Sequence, residues 1–562
     1  MRRFRSIRRS SVVFKRSFTV LKQQQVQSRS LFETDTVTAA FARAVASDPA
    51  QIFLDFDGEL YSYGDVDSRS NAFAHELSAL GIGVGDTVAT ILDNNIDQIV
   101  SWLSINKLGA VWVPLNTAYR GDFLSHQITD SQARIIVAES AYLANVIAIE
   151  DQLSGVSVVL RRGNGMDTLS SALDIRALDD HRGENHAPPQ HAPAPGDLAF
   201  LMYTSGTTGP SKGCMVSHNY ICHQAHQSNE TVPPLPGEVM YTCLPLFHMA
   251  AVDTTMSAIL SASRIAIGRR FSVSSFWSEI ERSGASNVRL LSSILPLVAQ
   301  AQETPEMVRC VGQLRAVTGY ASPEVVKVWK ERFGVSYFNS HAYGQSEGVR
   351  LSTGYMGEET PPDGSCGRIA SDAFDVVILD DDDNVLPEGS LGEIAYRPKK
   401  PHVMFDGFWR RPEDTARAWR NLWMHSGDLG RIEGIYLYFV DRKKDYLRSR
   451  GENISSFEIE RAFMRHDAVS EVAAHAISDG IAEDCLKVTI VLRAGAVMSE
   501  EDLCSWAVDN LPYFAVPQFI EFRDELPKTP TGKITKHLLR AEGRTVRTWD
   551  RDAAGFVVRR QR

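Results

Sequence analysis

The segment from Tyr203 to Gly213, YTSGTTGPSKG, combines the residue types that hold a phosphate chain. Glycines let backbone N–H groups approach phosphate oxygens, hydroxyls add donors, and one lysine adds a positive charge. A Walker A loop is excluded, because Lys212 is preceded by Ser211 and followed by Gly213. An apolar strand over Leu198–Tyr203 is predicted to lead into the loop, and a helix start to lead out, which argues against a flexible linker. The candidate phosphate-binding residues, with Thr204 also a catalytic candidate, are Thr204, Ser205, Gly206, Thr207, Thr208 and Lys212.

This segment resembles the signature loop of the adenylate-forming superfamily, which includes acyl-CoA synthetases, firefly-type luciferases and the adenylation domains of peptide synthetases. The resemblance covers roughly residues 35–545. It implies an N-terminal domain of three subdomains and a mobile C-terminal domain. The stretches most similar to the crotonobetaine/carnitine-CoA ligase branch are PLFHMAAVDTTMSAI, FVDRKK and RGENISSFEIE.

The run Tyr343-Gly344-Gln345-Ser346-Glu347 resembles the family's adenine and magnesium segment. An aromatic ring beside a glycine can stack on a purine while the backbone comes close, and Ser346 offers a hydroxyl to phosphate. Glu347 is the candidate metal ligand and a catalytic candidate, since a carboxylate oxygen suits Mg²⁺ bound to ATP. The family more often has Met-Thr where this chain has Gln345-Ser346, which keeps the hydroxyl.

Gly319, Tyr320 and Ala321 occupy the place of a family segment that is usually Gly-Gly followed by a small residue. Thr318 replaces the first glycine here, and Tyr320 follows the second. The resemblance places these three residues beside the nucleotide and the acyl carboxylate.

Four residues are carried over from the resemblance around the predicted domain boundary. Asp428, in His425-Ser426-Gly427-Asp428, would accept hydrogen bonds from both ribose hydroxyls, and Arg442 would make a second ribose contact. Lys444 matches the hinge, where a few residues absorb large backbone rotations. Gly451 would line the passage for the pantetheine arm, which a side chain would block.

Lys533, in Leu526-Pro527-Lys528-Thr529-Pro530-Thr531-Gly532-Lys533, resembles the family's catalytic lysine. It would neutralise charge on the carboxylate oxygen and the α-phosphate as the adenylate forms. Lys528 is interpreted as a solvated neighbour. His248 matches an aromatic-and-histidine segment at the wall between the acyl pocket and the thiol path, and is a further catalytic candidate.

The elements around these motifs indicate an α/β fold. Gln51 to Tyr61 predicts two short strands around a turn, and Ser68 to Leu80 predicts a helix. Thr87–Leu92 and Ala110–Pro114 predict buried strands separated by a helix. This alternation continues to about residue 340, which is typical of parallel sheets covered by helices. Ser371 to Arg397 predicts a β-rich, hairpin-containing region.

The fold expected from motifs and pattern is a large multi-subdomain N-terminal domain, with two parallel-sheet α/β layers and a β-rich subdomain, followed by a small mobile α+β domain. The boundaries are set by the basic start of the chain and by Arg442. They divide the chain into 1–31, a basic leader; 32–441, the AMP-binding domain; 442–545, the mobile domain; and 546–562, a tail.

Composition narrows the class of protein. Of the 562 residues, 43% are hydrophobic and 23% charged, which suits a globular protein. No apolar run is long enough to span a membrane. The seven cysteines contain no C-x-x-C pair, so neither a disulfide framework nor a zinc site is predicted. The net charge of −10 argues against a nucleic-acid partner.

Two polar stretches could suggest metal sites. His181, His186 and His191 lie in Pro-rich sequence without regular spacing, which favours a surface loop. The acidic run Asp380–Asp383 is interpreted as the solvated turn of a hairpin.

These observations predict an ATP-dependent ligase that forms an acyl-adenylate and passes the acyl group to a thiol, with ATP, Mg²⁺ and coenzyme A as cofactors and co-substrates. Two alternatives keep the adenylation step: an enzyme that loads a carrier-protein thiol, and a luciferase-like oxygenase. A catalytically silent nucleotide-binding protein is a third, from another class. Intact Lys212, Glu347, Asp428, Arg442 and Lys533 argue against it.

The acid itself is not identified by the sequence. The pocket wall is expected to include residues that suggest a mostly apolar acid: Met249, Ala251, Val252, Ser293 and Tyr320. Carnitine is not assigned, because a trimethylammonium group needs an aromatic cage or an acidic partner. Asp253 is a candidate for that partner, although a satisfied structural aspartate is the favoured interpretation.

The first 31 residues contain nine Lys or Arg and no acidic residue. This composition is typical of a mitochondrial transit peptide. A disordered basic tail and an upstream start codon are the alternatives. The expected location is the cytoplasm, or the mitochondrial matrix if the leader is a transit peptide. The expected partners are a small carboxylic acid, ATP and CoA, with a homodimer as a further candidate.

Overall fold

The computed structural model describes residues 34–164, 171–204, 211–292, 294–443, 447–449, 452–454, 456–478, 484–511, 515–529 and 532–558. The basic leader lies outside these residues. Within them, no helix combines the length and apolar character needed to cross a membrane. All seven cysteines are free thiols in this structure.

The first part of the chain alternates helices with short buried strands. Its elements are α1 Val37–Ser47, β1 Ile52–Phe56, β2 Glu59–Ser62, α2 Tyr63–Ala79, β3 Thr87–Ile91, α3 Ile96–Lys107, β4 Val111–Pro114, α4 Gly121–Ser131, β5 Ile135–Glu139, α5 Ser140–Ile147, β6 Val158–Arg162, β7 Ile175–Ala177 and β8 Leu198–Thr204.

Helix α2 begins five residues before the predicted start at Ser68. Ser62 accepts a hydrogen bond from the backbone N–H of Asp65, and the Asp65 carboxylate accepts one from the backbone of Ser62. This capping box satisfies two N–H groups that a helix start otherwise leaves unpaired. The cap, rather than the apolar pattern further along, therefore sets where α2 starts.

The alternation continues to residue 339. Its elements are β9 Lys212–Ser217, α6 His218–Thr231, β10 Val239–Thr242, α7 Met249–Leu260, β11 Arg264–Ile267, α8 Phe276–Ser283, β12 Asn287–Arg289, α9 Ile294–Gln300, α10 Pro305–Arg309, β13 Ala316–Thr318, α11 Pro323–Arg332 and β14 Tyr337–Asn339.

Two seven-stranded sheets form within the described residues. One has the order β7-β6-β5-β3-β4-β8-β9 and the other β14-β13-β12-β10-β11-β1-β2. Both are parallel except at one edge, where β9 and β2 pair antiparallel with their neighbours. The predicted parallel sheets are therefore confirmed. The apolar core is formed by side chains from the helices and from the strands of both sheets. It includes a stacked pair of buried rings, Trp102 of α3 and Trp112 of β4.

A third, antiparallel sheet follows. Its elements are β15 Ala342–Tyr343, β16 Ser352–Thr353, β17 Arg368–Ile369, β18 Phe374–Leu379, β19 Gly392–Pro398, α12 Pro412–Ala418, β20 Met424–Glu433 and β21 Tyr436–Arg442. The described strands run in the order β15-β16-β17-β21-β20-β19-β18. The β-rich region expected from Ser371 to Arg397 is the hairpin of β18 and β19, with the acidic run at its turn.

The C-terminal part forms a smaller α+β unit. Its elements are β22 Leu447–Ser449, β23 Glu452–Ile454, α13 Ser456–Phe463, β24 Val469–Ser478, β25 Asp484–Leu492, α14 Glu500–Asn510, β26 Phe519–Phe522, α15 Lys536–Glu542 and β27 Trp549–Asp550. The described strands form a two-stranded sheet, β22-β23, and a four-stranded sheet, β24-β25-β26-β27.

The expected boundary at residue 545 cuts through this unit. Strand β27 pairs with β26, and Arg551 is 2% exposed, with its guanidinium donating to the carbonyl of Val516 at 3.1 Å. Residues just past 545 therefore belong to the small domain rather than to a separate tail. The sequence between Arg540 and Trp549 is polar, so no apolar pattern predicted that another strand of this domain would follow.

Candidate active site

The predicted phosphate loop connects β8 and β9, which pair as an antiparallel hairpin. Thr204 and Lys212, which flank it, are directly opposite each other in the pairing, and the Thr204 hydroxyl lies 3.5 Å from the Lys212 carbonyl. A strand, not the expected helix, therefore leads out of the loop, and α6 begins only at His218. Pairing with β8 through buried Cys214 and Val216 outweighs the helix-like composition. Ser205, Gly206, Thr207 and Thr208 lie outside the described residues.

Lys212 points toward the first turn of α12. Its ammonium is 3.1 Å from the carboxylate of Asp414 and 5.2 Å from the ring centre of Phe408. The Lys212 side chain is 30% exposed, so it is partly open to solvent while it contacts Asp414 and Phe408. It is a half-buried cation at the start of β9, directly after the predicted phosphate loop.

The hairpin is braced by residues that the sequence reasoning missed. Tyr203 donates to a carboxylate oxygen of Asp130 at 2.8 Å, and Arg411 contacts the other oxygen at 3.2 Å. The indole of Trp409 donates to the Asp130 carbonyl at 3.1 Å. Burial and the Asp130 charge raise the pKa of Tyr203, which therefore stays protonated as a donor. These contacts join residues far apart in the chain, so no local pattern indicates them.

The turn after β15 carries the adenine segment. A Cβ added to Gly344 would lie 2.6 Å from the backbone nitrogen of Arg350, so only glycine fits there. The buried hydroxyl of Tyr220 donates to the Ser346 carbonyl at 3.0 Å and accepts from the backbone N–H of Val349 at 3.0 Å. Tyr220 of α6 therefore fixes the position of this turn through two hydrogen bonds to its backbone.

Glu347 lies at the centre of the candidate site. Its carboxyl group neighbours Arg442, Asp428 and the buried thiol of Cys214, which in turn lies beside Thr204. Burial raises the pKa of Glu347 and the Asp428 charge adds to this, while Arg442 and the thiol oppose it. The carboxylate therefore sits where a cation would offset the cost of its burial.

Asp428 accepts hydrogen bonds from two residues of the adenine segment. The Tyr343 hydroxyl donates to it at 2.7 Å and the Gln345 amide at 3.2 Å. Arg442, directly opposite on β21, lies 3.6 Å from its other oxygen. Burial raises the pKa of Asp428, against the effect of Tyr343 and Arg442. The structure thus brings three predicted nucleotide-binding residues onto one carboxylate.

Glu393 organises the turn before Asp428 and was not predicted. One of its oxygens accepts from the backbone N–H of Gly427 at 3.1 Å. The other lies 3.2 Å from His425 and 3.0 Å from Lys443. Donors from Lys443 and His425 lower the pKa of Glu393 despite its burial. The acidic run predicted as a solvated turn contributes as well, because Asp381 lies 2.9 Å from Lys443.

Gly319 lies at the carboxyl end of β13, next to β12. A Cβ there would lie 2.3 Å from the carbonyl oxygen of Leu290, so the glycine is required by packing. Tyr320 is 49% exposed, and its hydroxyl lies close enough to Arg461 of α13 for that charge to offset part of the pKa rise caused by burial. Ala321 is half-buried beside it. The loop thus faces the small domain.

Lys533 lies on a tight turn of the small domain. Its carbonyl accepts from the backbone N–H of Thr529 at 2.7 Å, and its own N–H donates to the Thr529 hydroxyl at 3.1 Å. The side chain keeps contact with solvent, yet it lies within reach of Arg442, Asp428 and Glu347. Burial and the Arg442 charge lower the pKa of Lys533, and the two carboxylates oppose the shift. Lys528 pairs instead with Glu471 at 2.6 Å.

His248 forms the N-cap of α7 and packs edge-on against Phe247, with ring centres 4.7 Å apart. Burial, with a smaller effect of the Lys533 charge, lowers the pKa of His248 to about 4. The imidazole is therefore neutral at physiological pH. It lies at the start of α7, close enough to Lys533 of the small domain for that charge to act on it, and its role at the wall of the acyl pocket stays a prediction.

The predicted acyl-pocket wall is wrong in part. Ala251 and Val252 have no exposed surface and belong to the apolar core, because the helical period of α7 turns them inward. Met249 is 8% exposed, and Ser293 lies outside the described residues. Asp253 is a satisfied buried aspartate, as favoured from the sequence, and contacts Ser228, Arg289 and Arg350.

Two further candidates, Lys444 and Gly451, also lie outside the described residues, so their hinge and channel roles stay predictions. The three histidines of the Pro-rich loop do not meet: His186 bonds to Ser68, and His181 lies 3.2 Å from Glu76. Among the described residues, no group of three or more His, Cys, Asp or Glu side chains is arranged to hold a metal ion. A single carboxylate such as Glu347 can hold Mg²⁺ only together with substrate phosphates.

The arrangement brings the hairpin that flanks the predicted phosphate loop, the Asp428 carboxylate and a lysine of the small domain close together. A family model described as AMP-binding enzyme matches residues 41–409, and a second, AMP-binding enzyme C-terminal domain, matches residues 458–533. The chain belongs to the AMP-binding enzyme family. As in other AMP-binding enzymes of this adenylate-forming type, the chemistry is that of an AMP-forming acid–thiol ligase that uses ATP.

Curated AMP-binding enzymes cover nearly the whole chain. A long-chain-fatty-acid–CoA ligase of Escherichia coli O6:H1 is 30% identical, over 87% of this chain and 91% of its own length. A crotonobetaine/carnitine–CoA ligase of Citrobacter koseri is 29% identical, over 89% and 97%.

Solved AMP-binding enzymes share the fold. ATP-bound MatB from Rhodopseudomonas palustris is 24% identical with a TM-score of 0.79, covering 90% of this chain and 99% of that one. O-succinylbenzoate coenzyme A synthetase from Bacillus subtilis, in complex with AMP, is 21% identical with a TM-score of 0.76, covering 91% and 99%.

Proposed function

We propose that this enzyme is an ATP-dependent carboxylic acid–CoA ligase. It converts an acid and ATP into acyl-AMP and pyrophosphate, then acyl-AMP and CoA into acyl-CoA and AMP. The observation that carries the proposal is the approach of Lys533, from the small domain, to Asp428 and Glu347 beside the phosphate hairpin. The names of the curated relatives, both CoA ligases, support CoA as the thiol.

In the first step a carboxylate oxygen of the acid attacks the α-phosphorus of ATP. The new P–O bond forms as the bond to the β-phosphate oxygen breaks, and pyrophosphate leaves. Lys212 and the hairpin loop would hold the departing phosphates, and Lys533 would balance charge on the carboxylate and α-phosphate. Asp428 and Arg442 would fix the ribose. The protein contributes positioning and charge stabilisation.

Mg²⁺ fits the site through Glu347. Its carboxylate is half-buried among Asp428 and a thiol, and a hard cation there would offset both burial and repulsion. When bound, the ion would supply charge neutralisation to the phosphates. Glu347 must then be ionised, so the enzyme needs a pH above the raised pKa of this residue for tight binding of ATP with its metal.

In the second step the sulfur of CoA attacks the acyl carbon. The C–S bond forms, the bond from the acyl carbon to AMP breaks, and the thiol proton is released to solvent. A pKa of about 4 keeps the imidazole of His248 neutral at physiological pH and makes it a weak base, which favours a role in shaping the wall over one as an efficient general base. Before this step the small domain, with Lys533, turns away about its hinge.

Pyrophosphate exchange tests the proposal. Acid-dependent exchange of labelled pyrophosphate into ATP is expected across a panel of carboxylic acids, and adding CoA should convert the active acids to acyl-CoA. Exchange without acyl-CoA formation would move the assignment to an enzyme that loads a carrier-protein thiol. Nucleotide binding without exchange would leave a silent binding protein.

The homodimer, the cytoplasmic location and the mitochondrial alternative stay predictions. So does the division at residues 441 and 442, which agrees with the two separate family matches. The leader bears on location only, because every group used in the two steps above lies beyond it.

A further inference from the structure

A buried ion cluster lies at Asp253 of α7. The Ser228 hydroxyl contacts both of its carboxylate oxygens, at 2.9 and 2.8 Å. Arg289 and Arg350 both donate to one of these oxygens, the latter at 2.9 Å. The side chains of the two arginines are only 10% and 9% exposed. Two guanidinium groups thus share one carboxylate, and among the described residues the cluster carries a net positive charge.

The cluster has donors to spare. A guanidinium offers five N–H groups, and the described residues accept one hydrogen bond from Arg289 and one from Arg350. The buried Nε of Arg350 has no hydrogen-bond partner among the described residues. The buried amide oxygen of Gln224, on the same face of α6 as Ser228 four residues on, has none either. Buried polar groups are rarely left in this state.

The cluster adjoins two loops of the candidate active site. Arg289 ends β12 opposite Thr318, the residue before Gly319. The backbone nitrogen of Arg350 lies beneath Gly344, 2.6 Å from where a Cβ would be. Arg289 therefore sits at the carboxyl end of a parallel strand, and Arg350 lies in the loop between the antiparallel strands β15 and β16. The two residues adjoin the loops that would hold the acyl carboxylate and the adenine.

A balanced structural ion pair elsewhere in the same sheet shows the contrast. Arg315, at the start of β13, places two nitrogens on Glu238, at 2.8 and 2.7 Å, and donates to the Pro233 carbonyl at 3.0 Å. There one cation meets one anion and the donors are used. Burial lowers the pKa of Arg289 to about 10, with Arg350 adding to the effect and Asp253 opposing it, which agrees with a surplus of positive charge.

We propose that the acid substrate is a dicarboxylic acid, whose second carboxylate binds Arg350 and Arg289 above Asp253. One carboxylate is adenylated beside Gly319, and the other neutralises the cluster through paired N–H···O contacts, the geometry in which guanidinium groups hold carboxylates. The inference rests on the proposed function, since it concerns the same acid. It replaces the mostly apolar acid expected from the sequence.

Matched substrates test the charge directly. Straight-chain dicarboxylic acids of increasing length are compared with their own monomethyl esters in acid-dependent pyrophosphate exchange. Acid and ester differ in length by one methyl group and in charge by one unit. At the best length, kcat/KM for the diacid should exceed that for its ester by about 10-fold or more, the size of a charge-assisted contact.

Variants locate the effect. Arg350→Gln leaves Arg289 and Asp253 as a neutral pair, so the ratio of diacid to ester should fall toward unity. Arg315→Gln, which breaks the balanced pair at the opposite end of the sheet, should keep the wild-type ratio. If Arg350→Gln does not fold, the wild-type ratio still decides.

The outcomes separate the two claims. Exchange with esters or simple monocarboxylic acids that equals or exceeds exchange with every diacid overturns the dicarboxylate, and leaves the ligase in place. A diacid preference that survives in Arg350→Gln overturns the assigned site. Exchange with none of the acids removes the proposed function together with this inference.

Discussion

Lys533 experiences three charges at once in this arrangement of the two domains. Asp428 and Glu347 favour its ammonium form, while burial and Arg442 disfavour it, and the net effect lowers its pKa. A lysine in this state carries a positive charge that the neighbouring groups only partly compensate. The missing anion is what the carboxylate and α-phosphate of a substrate pair would supply.

Replacing Lys533 with alanine should separate the two half-reactions. We expect Lys533→Ala to slow adenylation by about 10²–10³, roughly 3–4 kcal/mol, as for loss of a preorganised charge partner. Thioester formation from supplied acyl-AMP should be largely spared. Single-turnover measurement of each half-reaction checks this.

Lys528 provides a matched control on the same loop. It is a lysine five residues away that pairs with Glu471 within the small domain. Lys528→Ala should leave both half-reactions within about twofold, since exposed ion pairs contribute little. An equal loss of both half-reactions in Lys533→Ala would refute the assigned role.

The residue types of the site were predictable where a local motif carries them. Thr204, Lys212, Glu347, Asp428, Arg442 and Lys533 each stand in a short run whose composition implies phosphate, metal or ribose chemistry. Glu393, Asp130 and Arg411 were not found, because each acts through a partner distant in sequence. Such partners need the fold before they can be named.

At the scale of elements, the α/β alternation and the hairpin of β18 and β19 follow from apolar periodicity. The residues at which elements start and end do not follow from this periodicity. Helix α2 begins at a capping box, and β9 is a strand because it pairs with β8. The acyl wall was misjudged for a similar reason. Which face of α7 turns inward depends on the sheet it covers, and Ala251 and Val252 lie on that face.

The small domain has an ion pair in its core that its sheet depends on. Lys487 of β25 and Glu521 of β26 are 1% and 2% exposed, with 2.6 Å between nitrogen and oxygen. Burial disfavours the Glu521 charge, but donors from Lys487, Thr548, Thr545 and Arg523 outweigh it and lower the pKa to about 2. Burial lowers the pKa of Lys487 as well, so each charge depends on the other.

Glu521→Gln should therefore destabilise the small domain. Leaving Lys487 buried without its anion costs about 3–5 kcal/mol. Because the folded-state pKa lies below the unfolded value, the contribution of Glu521 is present above about pH 4.5 and is lost as the pH falls toward 2. Scanning calorimetry of wild type and variant across that range should show the difference shrinking in acid. Exposed Glu525→Gln is the control, with no change expected; a difference that stays constant in acid would contradict the account.

At the scale of the whole molecule, the two domains are tied together at the end of β21. Asp441 is 3% exposed, and its carboxylate accepts from the backbone N–H of Ser456, the first residue of α13 in the small domain. It also accepts from the backbone N–H of Arg442 at 2.7 Å. Further out, Arg461 and Arg465 of the small domain act with the cap at Ser322 to lower the pKa of Glu324, which places them close across the cleft.

Removing the Asp441 tie should slow the step that needs this arrangement. Asp441→Ala is expected to slow adenylation by about 10- to 100-fold, as for a hydrogen bond to a charged group, because Lys533 loses part of its anchoring. The thioester step, before which the small domain is proposed to turn away, should change less. Rapid-quench measurement of the two steps checks this, with exposed Glu433→Ala as the control on the same hairpin. A larger loss in the thioester step would reverse the conclusion.

Strand β21 ends with two neighbouring residues, Asp441 and Arg442, that contact different parts of the molecule. Arg442 faces the carboxylate that would read the sugar of the nucleotide, and Asp441 holds the domain that delivers the lysine. Because the two residues are joined by one peptide bond, a displacement of either one shifts the backbone of the other. If Arg442 binds the nucleotide as proposed, departure of AMP and movement of the small domain would be coupled through these two adjacent residues and would occur together.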